Sequence, residues 1–400
     1  MKLLVFAHVP PPHHGQSYMV KLMLEGFGSR ARAARASGAP PGEQVECLHV
    51  DARYSRDMED VGGFRVTKAL GLLEYCAQAL RLRLQHGVRV LYFVPAPPRL
   101  VPVLRDIVSL GLLRPFFPRL VLHWHAGGLG QWLLEQPSWL RVAAQRALGH
   151  ADLSIVLAHQ NEADVDVLAP RRVVVVPCGI PDPFPDFPAR LAPIRRARAS
   201  ARAEALGRRG TGKLRVRVLF IALCTREKGI FDAIAAVAHA NRQLAADHID
   251  LRFELHVAGE FRDRAERAQF DAAVSAAEWD GLFRYHGFVS GRQKTELFEQ
   301  ADMLLFPTYY SAESFPVVVL EAMAAGLAIV ATRWRAIPEM FPADYPGLVP
   351  AHAPQLAAAQ LVALAGAETG LDLRQRFLEH FTLERYVDGL EHALLGVRGR

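Results

Sequence analysis

Short apolar runs alternate with amphipathic stretches along almost the whole chain. Runs rich in Val, Ile, Leu and Phe, bounded by Gly or Pro, predict buried strands at 2–8, 44–51, 89–94 and 151–158. A further run, LVLHWH at 120–125, enters the glycine-rich loop AGGLG. The second half repeats the pattern at 214–223, 251–259, 283–289, 301–307 and 327–331. Between these runs, leucines at helical spacing with arginines opposite predict helices, most clearly at 68–86 and 100–113. Shorter helices are expected up to about residue 27, at 139–148, 160–168, 296–300 and 317–325, with 30–42 a polar connection and 376–397 one amphipathic helix. Strands alternating with helices predict an α/β fold with a doubly wound parallel sheet. Residues 181–212 break the rhythm with Pro, Ala and Arg, which predicts a solvated linker at 184–213 between domains at 1–183 and 214–381.

Composition narrows the class. A chain of 400 residues, 51% hydrophobic, can fill two cores, and 22% charged residues argue against disorder. Cys47, Cys76, Cys178 and Cys224 lie far apart with no CxxC, which suggests neither a zinc site nor a disulfide framework and fits a reducing cytoplasm. The apolar run in MKLLVFAHVP is short and lacks a small-residue cleavage site, so it reads as a first strand and not a signal peptide. No apolar run has the length needed to span a bilayer. The formal charge of +6 implies anionic partners. No zinc-finger spacing, RNA-binding aromatic motif or periodic basic helix points to nucleic acid, so an anionic substrate and an anionic membrane surface are the better candidates.

Candidate chemistry concentrates at 308–333, TYYSAESFPVVVLEAMAAGLAIVATR. A strand, a polar turn, a helix beginning near Pro316 and ending at Gly326, and another strand make one βαβ-type unit. Ser314 is the candidate N-cap. Free N–H groups at the helix start suit a phosphate. Glu313 lies just outside that start and Glu321 inside the helix, and each carboxylate suits a sugar hydroxyl. A second anion site is expected at CTREKGIFDA, where Lys228 and Gly229 stand at a helix entrance after a strand. In the first half, Gly15 follows strand one and permits close backbone approach at the carboxyl end of the sheet. His125 ends its strand, with His123 on the same face. HxH spacing suits zinc, but no third ligand sits nearby in sequence, so no metal is expected.

ESFPVVVLEAMAAGLAIVAT resembles the E-x7-E signature of the family-four retaining glycosyltransferases, through both glutamates, Phe315, Ala322, Met323 and Gly326. The resemblance covers nearly the whole chain and is strongest from about 214 to 335. It implies a GT-B fold, two Rossmann-like domains facing a cleft, with a closing helix at about 382–400 returning to the first. It implies a metal-independent, retaining transfer from a UDP- or GDP-linked sugar to a glycan or lipid-linked acceptor, without a cofactor. Lys228 matches the lysine that binds the donor diphosphate. The usual arginine five residues earlier is Leu223 here, and Arg226 is the nearest replacement. Gly287, Phe288 and Val289 match the base-contacting segment. Phe315, Pro316 and Val317 form the phosphate-facing helix start, Glu313 orients the sugar and Glu321 holds the ribose. His125 matches the histidine beside the reacting centre. RVVVVPCGI at 172–180 matches the end of the first domain, with Cys178 where asparagine is usual. A cytoplasmic enzyme of bacterial surface polysaccharide or glycolipid synthesis, peripheral on the inner membrane face, follows from the same resemblance. A non-catalytic sugar-binding protein, and a phosphorylase or sugar-nucleotide epimerase on this fold, are the alternatives.

Overall fold

The computed structural model describes residues 1–11, 15–36, 44–53, 66–210, 213–277 and 279–397. Contacts divide the chain into two units: Met1–Gly179 with Ala312–Phe315 and Leu383–Arg400, and Ile180–Ser311 with Pro316–Thr382.

The first unit runs β1 (Lys2–Ala7), α1 (Gly15–Ala36), β2 (Glu46–Asp51), α2 (Val66–His86), β3 (Val90–Phe93), α3 (Leu100–Leu113) and β4 (Arg119–His123). It continues with α4 (Leu129–Leu134), α5 (Ser138–Leu148), β5 (Leu153–Val156), α6 (Glu162–Asp166) and β6 (Val173–Val175). Its strands form one parallel sheet in the order β2-β1-β3-β4-β5-β6. Both faces are covered, which is why Leu3, Leu4 and Val5 in succession are fully buried. On one face Leu4, Phe6, Leu91, Phe93, Leu120 and Leu122 meet the inner sides of α2, α3 and α5. Each such side chain fully withdrawn from water contributes roughly 1.5–3 kcal/mol. Alternation sends Tyr92 and His123 to the other face.

The second unit opens with α7 (Phe187–Leu206). There follow β7 (Leu214–Ile221), α8 (Ile230–Ala246), β8 (Leu251–Ala258), α9 (Arg264–Ala276), β9 (Phe283–Tyr285), α10 (Gly291–Gln300) and β10 (Met303–Phe306). It ends with α11 (Val317–Ala324), β11 (Ala328–Thr332), β12 (Leu348–Val349), α12 (Pro354–Ala365) and α13 (Thr369–His380). Its parallel sheet has the order β12-β11-β10-β7-β8-β9. The last helix, α14 (Leu383–Leu395), belongs to the first unit.

Three elements differ from the sequence reading. The expected polar connection from residue 30 is helical to Ala36, because Ala and Arg are good helix formers and Arg30 pairs with Glu391 of α14 at 2.7 Å. The single tail helix is two, α13 and α14. It breaks where Phe381 accepts a hydrogen bond from the Ile180 N–H at 3.0 Å and Thr382 bridges to Ile180. The expected solvated linker holds α7, whose Arg195 and Arg202 are buried. Arg195 donates to the carbonyls of Phe298, Ala301 and Ala325, and Arg202 to Asp302 at 2.7 Å and to the Ala365 carbonyl. These partners replace the water that the polar pattern implies.

Candidate functional site

In the second unit the chain runs one way from β7 through β8 to β9, then crosses to β10 and runs the other way. β7 and β10 pair side by side, so the sheet's switch point lies between them. Ligands of open α/β sheets settle outside the carboxyl ends of strands at such a point. Both stretches singled out by chemistry emerge there: CTREKG after β7 and TYYSAES after β10.

The two loops are joined by their backbones. The Tyr309 N–H donates to the Glu227 carbonyl at 2.8 Å, and the Thr308 hydroxyl to the same oxygen at 3.3 Å. Residues Arg226–Lys228 form one 3₁₀ turn, and Gly229 then caps α8 in the left-handed region, at φ +83°. A Cβ there would lie 2.2 Å from the Pro307 carbonyl oxygen. Gly229→Ala is therefore expected to cost at least about 2 kcal/mol, measured by urea unfolding. A cost below about 0.5 kcal/mol would show that the loops part easily. The Lys228 ammonium stands 4.7 Å from the Tyr310 ring centre and 5.9 Å from that of Phe306. Arg226 is engaged elsewhere: its guanidinium donates to Gln269 of α9 at 2.6 Å and lies 4.5 Å over Phe231 of α8.

α11 begins with Pro316 as its N-cap and no side-chain capping bond. Ser314 is not the cap, since its hydroxyl donates to Asn161 at 3.0 Å. Gly326 follows the helix at φ +66°, as a C-terminal glycine should. Glu321 pairs with Lys294 of α10 at 2.6 Å, while its other carboxylate oxygen is buried and has no protein partner among the described residues. Sequence reasoning missed Lys294, which lies 27 positions from Glu321 and carries no local signal.

Gly287, Phe288 and Val289 follow β9. The Gly287 carbonyl accepts the Gly259 N–H at 2.8 Å, Val289 is buried, and Phe288 leaves 54% of its surface exposed. Beside them His286 and His256 face each other across 3.0 Å between Nε2 and Nδ1. Burial pushes both imidazoles below the usual histidine range, although Glu254 opposes this at His256. This pair, too, was invisible in the sequence.

In the first unit, His123 is fully buried, bonded through Nδ1 to the Tyr92 hydroxyl. Burial, and then the neighbouring His125, holds it well below the usual range, so it is a neutral structural imidazole. His125 is half-buried in the loop beyond, its ring centre 4.2 Å from that of His123. The loop is fixed by a hydrogen bond from the Gly128 N–H to Asp164 at 2.6 Å. Ala312–Phe315 belongs to this same unit: the Gly127 N–H donates to the Ala312 carbonyl, and a Cβ on Gly127 would lie 3.1 Å from the Glu313 carbonyl oxygen. The backbone of buried Glu313 therefore packs two residues from His125. Phe315 is buried, and Val317 starts α11 in the second unit. Gly15 opens α1 with free space within 4 Å of where a Cβ would stand. His13 and His14, expected as solvated or acceptor-touching, lie outside the described residues. His8, after β1, was not singled out; burial, with Arg105, Arg53 and His49, pushes its pKa down to about 4. All four cysteines are free, and burial pushes the Cys178 thiol up, which keeps it protonated. Among the described residues no three His, Cys, Asp or Glu side chains are grouped to hold a metal ion.

Residues 208–378 match the family model described as Glycosyl transferases group 1. The putative colanic acid biosynthesis glycosyltransferase WcaL of Escherichia coli K12 is 27% identical over 159 residues, 38% of this chain and 37% of that protein. The amylovoran biosynthesis glycosyltransferase AmsK of Erwinia amylovora is 29% identical over 158 residues, with the same coverage of 38% and 37%. The chain thus spans well under half the length of these curated relatives. Among solved structures, sucrose-phosphate synthase from Thermosynechococcus elongatus superposes over 100% of this chain and 99% of its own at TM-score 0.66 and 17% identity. Anabaena HepE in complex with UDP-glucose does so over 98% and 99% at TM-score 0.64 and 13% identity. The likeness establishes the fold, two Rossmann-like units of the GT-B type.

Proposed function

We propose that this chain, whose second unit carries the group 1 glycosyltransferase domain, moves a sugar from a nucleoside-diphosphate donor to a glycan or lipid-linked acceptor. The observation that carries the reading is the switch point of the second sheet, where Lys228, the Tyr310 ring and the loop leading to α11 emerge from neighbouring strand ends. HepE, of the same fold, is described with UDP-glucose, which supports a UDP- or GDP-linked donor here. The relatives' roles in colanic acid and amylovoran biosynthesis support a place in bacterial polysaccharide synthesis.

The anomeric carbon–oxygen bond breaks with its electron pair passing to the diphosphate, and a bond forms to an acceptor hydroxyl, which loses its proton. The leaving diphosphate gains charge, and Lys228 supplies a fixed positive charge to meet it. The amides of Phe315 and Val317 beside Pro316 assist at the phosphates, whereas Arg226 stays on Gln269 and Phe231. Glu313 orients the sugar and Glu321, braced by Lys294, takes the ribose. Phe288 offers the base a flat apolar face between Gly287 and Val289. Gly15 leaves room for close backbone approach, and His125 steadies the reacting sugar. In this reading transfer retains the anomeric configuration and uses neither metal nor cofactor.

A thermal-shift screen of UDP- and GDP-sugars tests it. A true donor at about a hundred times its Kd should stabilise the native state by about 2.7 kcal/mol. Stabilisation by free sugar alone, with no nucleotide response, would identify a sugar-binding protein instead. Conversion of donor to a different nucleotide sugar without acceptor would identify an epimerase.

A further inference from the structure

The loop after β11, residues 333–336, plays no part in the transfer chemistry. Its base is fixed on both sides. The Thr332 hydroxyl donates to the Thr308 carbonyl, and the Arg333 N–H to the Val349 carbonyl of β12 at 2.7 Å. Its indole reaches back towards the candidate site, since Trp334 Nε1 donates to the Tyr310 carbonyl at 2.8 Å. The ring of the same tyrosine lies 4.7 Å from the Lys228 ammonium. Tyr310 is thus where loops from three neighbouring strands, β7, β10 and β11, meet.

Arg333 is exposed and Arg335 half-buried, and among the described residues neither is paired with a carboxylate. The Arg335 guanidinium lies 5.9 Å from the Trp334 ring centre. The backbone of Arg335 is unusual as well, at φ +48°. Glycine enters that left-handed region at no steric cost. The other described non-glycine residues in it are three histidines, an aspartate and an alanine. Histidine and aspartate enter it several times more readily than most residues, and arginine has no such allowance. Strain of this kind persists where the surrounding structure holds it, and it gathers at ligand clamps.

We infer that residues 333–335 bind an acidic group on a sugar substrate, the carboxylate of a uronic acid. The planar guanidinium fork matches a carboxylate with two parallel hydrogen bonds. The Trp334 ring offers a flat apolar face to the C–H groups of the sugar ring. Lys228 does not serve this group, because its charge answers the diphosphate. A neutral hexose would leave both arginines without a counter-charge. The acid belongs either to the sugar being transferred or to the sugar that receives it, and both present the same carboxylate. The inference deepens the functional reading and rests on it, since it names the substrate class of that same site.

The test has a donor arm and an acceptor arm. In the first, calorimetry on the full chain compares UDP-glucuronic acid with UDP-glucose, and GDP-mannuronic acid with GDP-mannose. The acidic member of the pair that binds is expected to be held about tenfold more tightly. In the second, initial rates with the neutral donor compare an aryl glucuronide with the matching glucoside as acceptor. A KM lower by about tenfold for the glucuronide places the acid on the acceptor instead. In whichever arm the preference appears, Arg333→Ala with Arg335→Gly should reduce it to about one. Glycine is chosen at 335 because it accepts φ +48° without strain, and a cooperative melt shows that the variant folds. A preference in neither arm, or one that survives in the variant, would overturn the inference and leave the functional reading standing. No response to UDP, GDP or any of these nucleotide sugars would overturn the functional reading, and the inference with it.

Discussion

Lys228→Ala is expected to lower turnover of the nucleoside-diphosphate sugar by ~10²–10³-fold, with the fold intact. The loss belongs in kcat, because a fixed charge matters most when the diphosphate takes up the bonding pair. Lys228 is only half-buried, ends a 3₁₀ turn, and touches rings without lying in the hydrophobic core, so its removal leaves no cavity there. Glu313→Ala should bring a loss of similar size through the sugar. Steady-state kinetics with the donor identified by thermal shift checks both. Near-normal kcat in both variants would remove the assignment of the site, whichever sugar is transferred.

The second large effect is on stability. Arg374→Ala is expected to destabilise the second unit by about 3 kcal/mol, as judged by urea unfolding. The guanidinium of this buried arginine grips both oxygens of Asp182 and donates to the carbonyls of Ala324 and Phe184 at 3.0 and 3.3 Å. It also lies 4.8 Å over Phe187. It thus ties the start of α7 and the end of α11 to α13. Removing it strands a carboxylate and two carbonyls. The low end of the range for a broken buried pair is the right choice, since Asp182 keeps 23% of its side chain in contact with water. Arg374→Met, which keeps the bulk over Phe187, should lose nearly as much. Loss below about 1 kcal/mol in both variants would mean that packing and not charge pairing holds this corner.

Much of the fold was readable because strands at the centre of each sheet are buried on both faces. Such strands appear as continuous runs such as LLVFA in β1 and MLLF in β10, between Gly and Pro punctuation. Lys228 before Gly229, and Gly326 after α11, were likewise readable, since a left-handed residue at a helix end is a local demand that glycine meets. The errors fall where partners are distant. The bridge to Ile180 divides a tail that looks continuous, and Asn161 takes the hydroxyl of Ser314 from its expected cap.

The sequence alone therefore determined the α/β class, the two repeats of strand and helix, and the residue types available for anion and hydroxyl recognition. Only the tertiary structure decided that β7 and β10 lie side by side, that Ala312–Phe315 belongs to the first unit, that Arg195 and Arg202 are interior, and that Lys294 braces Glu321. The reason is one of range. Periodicity and turn chemistry report what a residue needs from neighbours within a few positions. Burial of a charge depends on carbonyls and carboxylates a hundred positions away, which the fold brings close and no local pattern records.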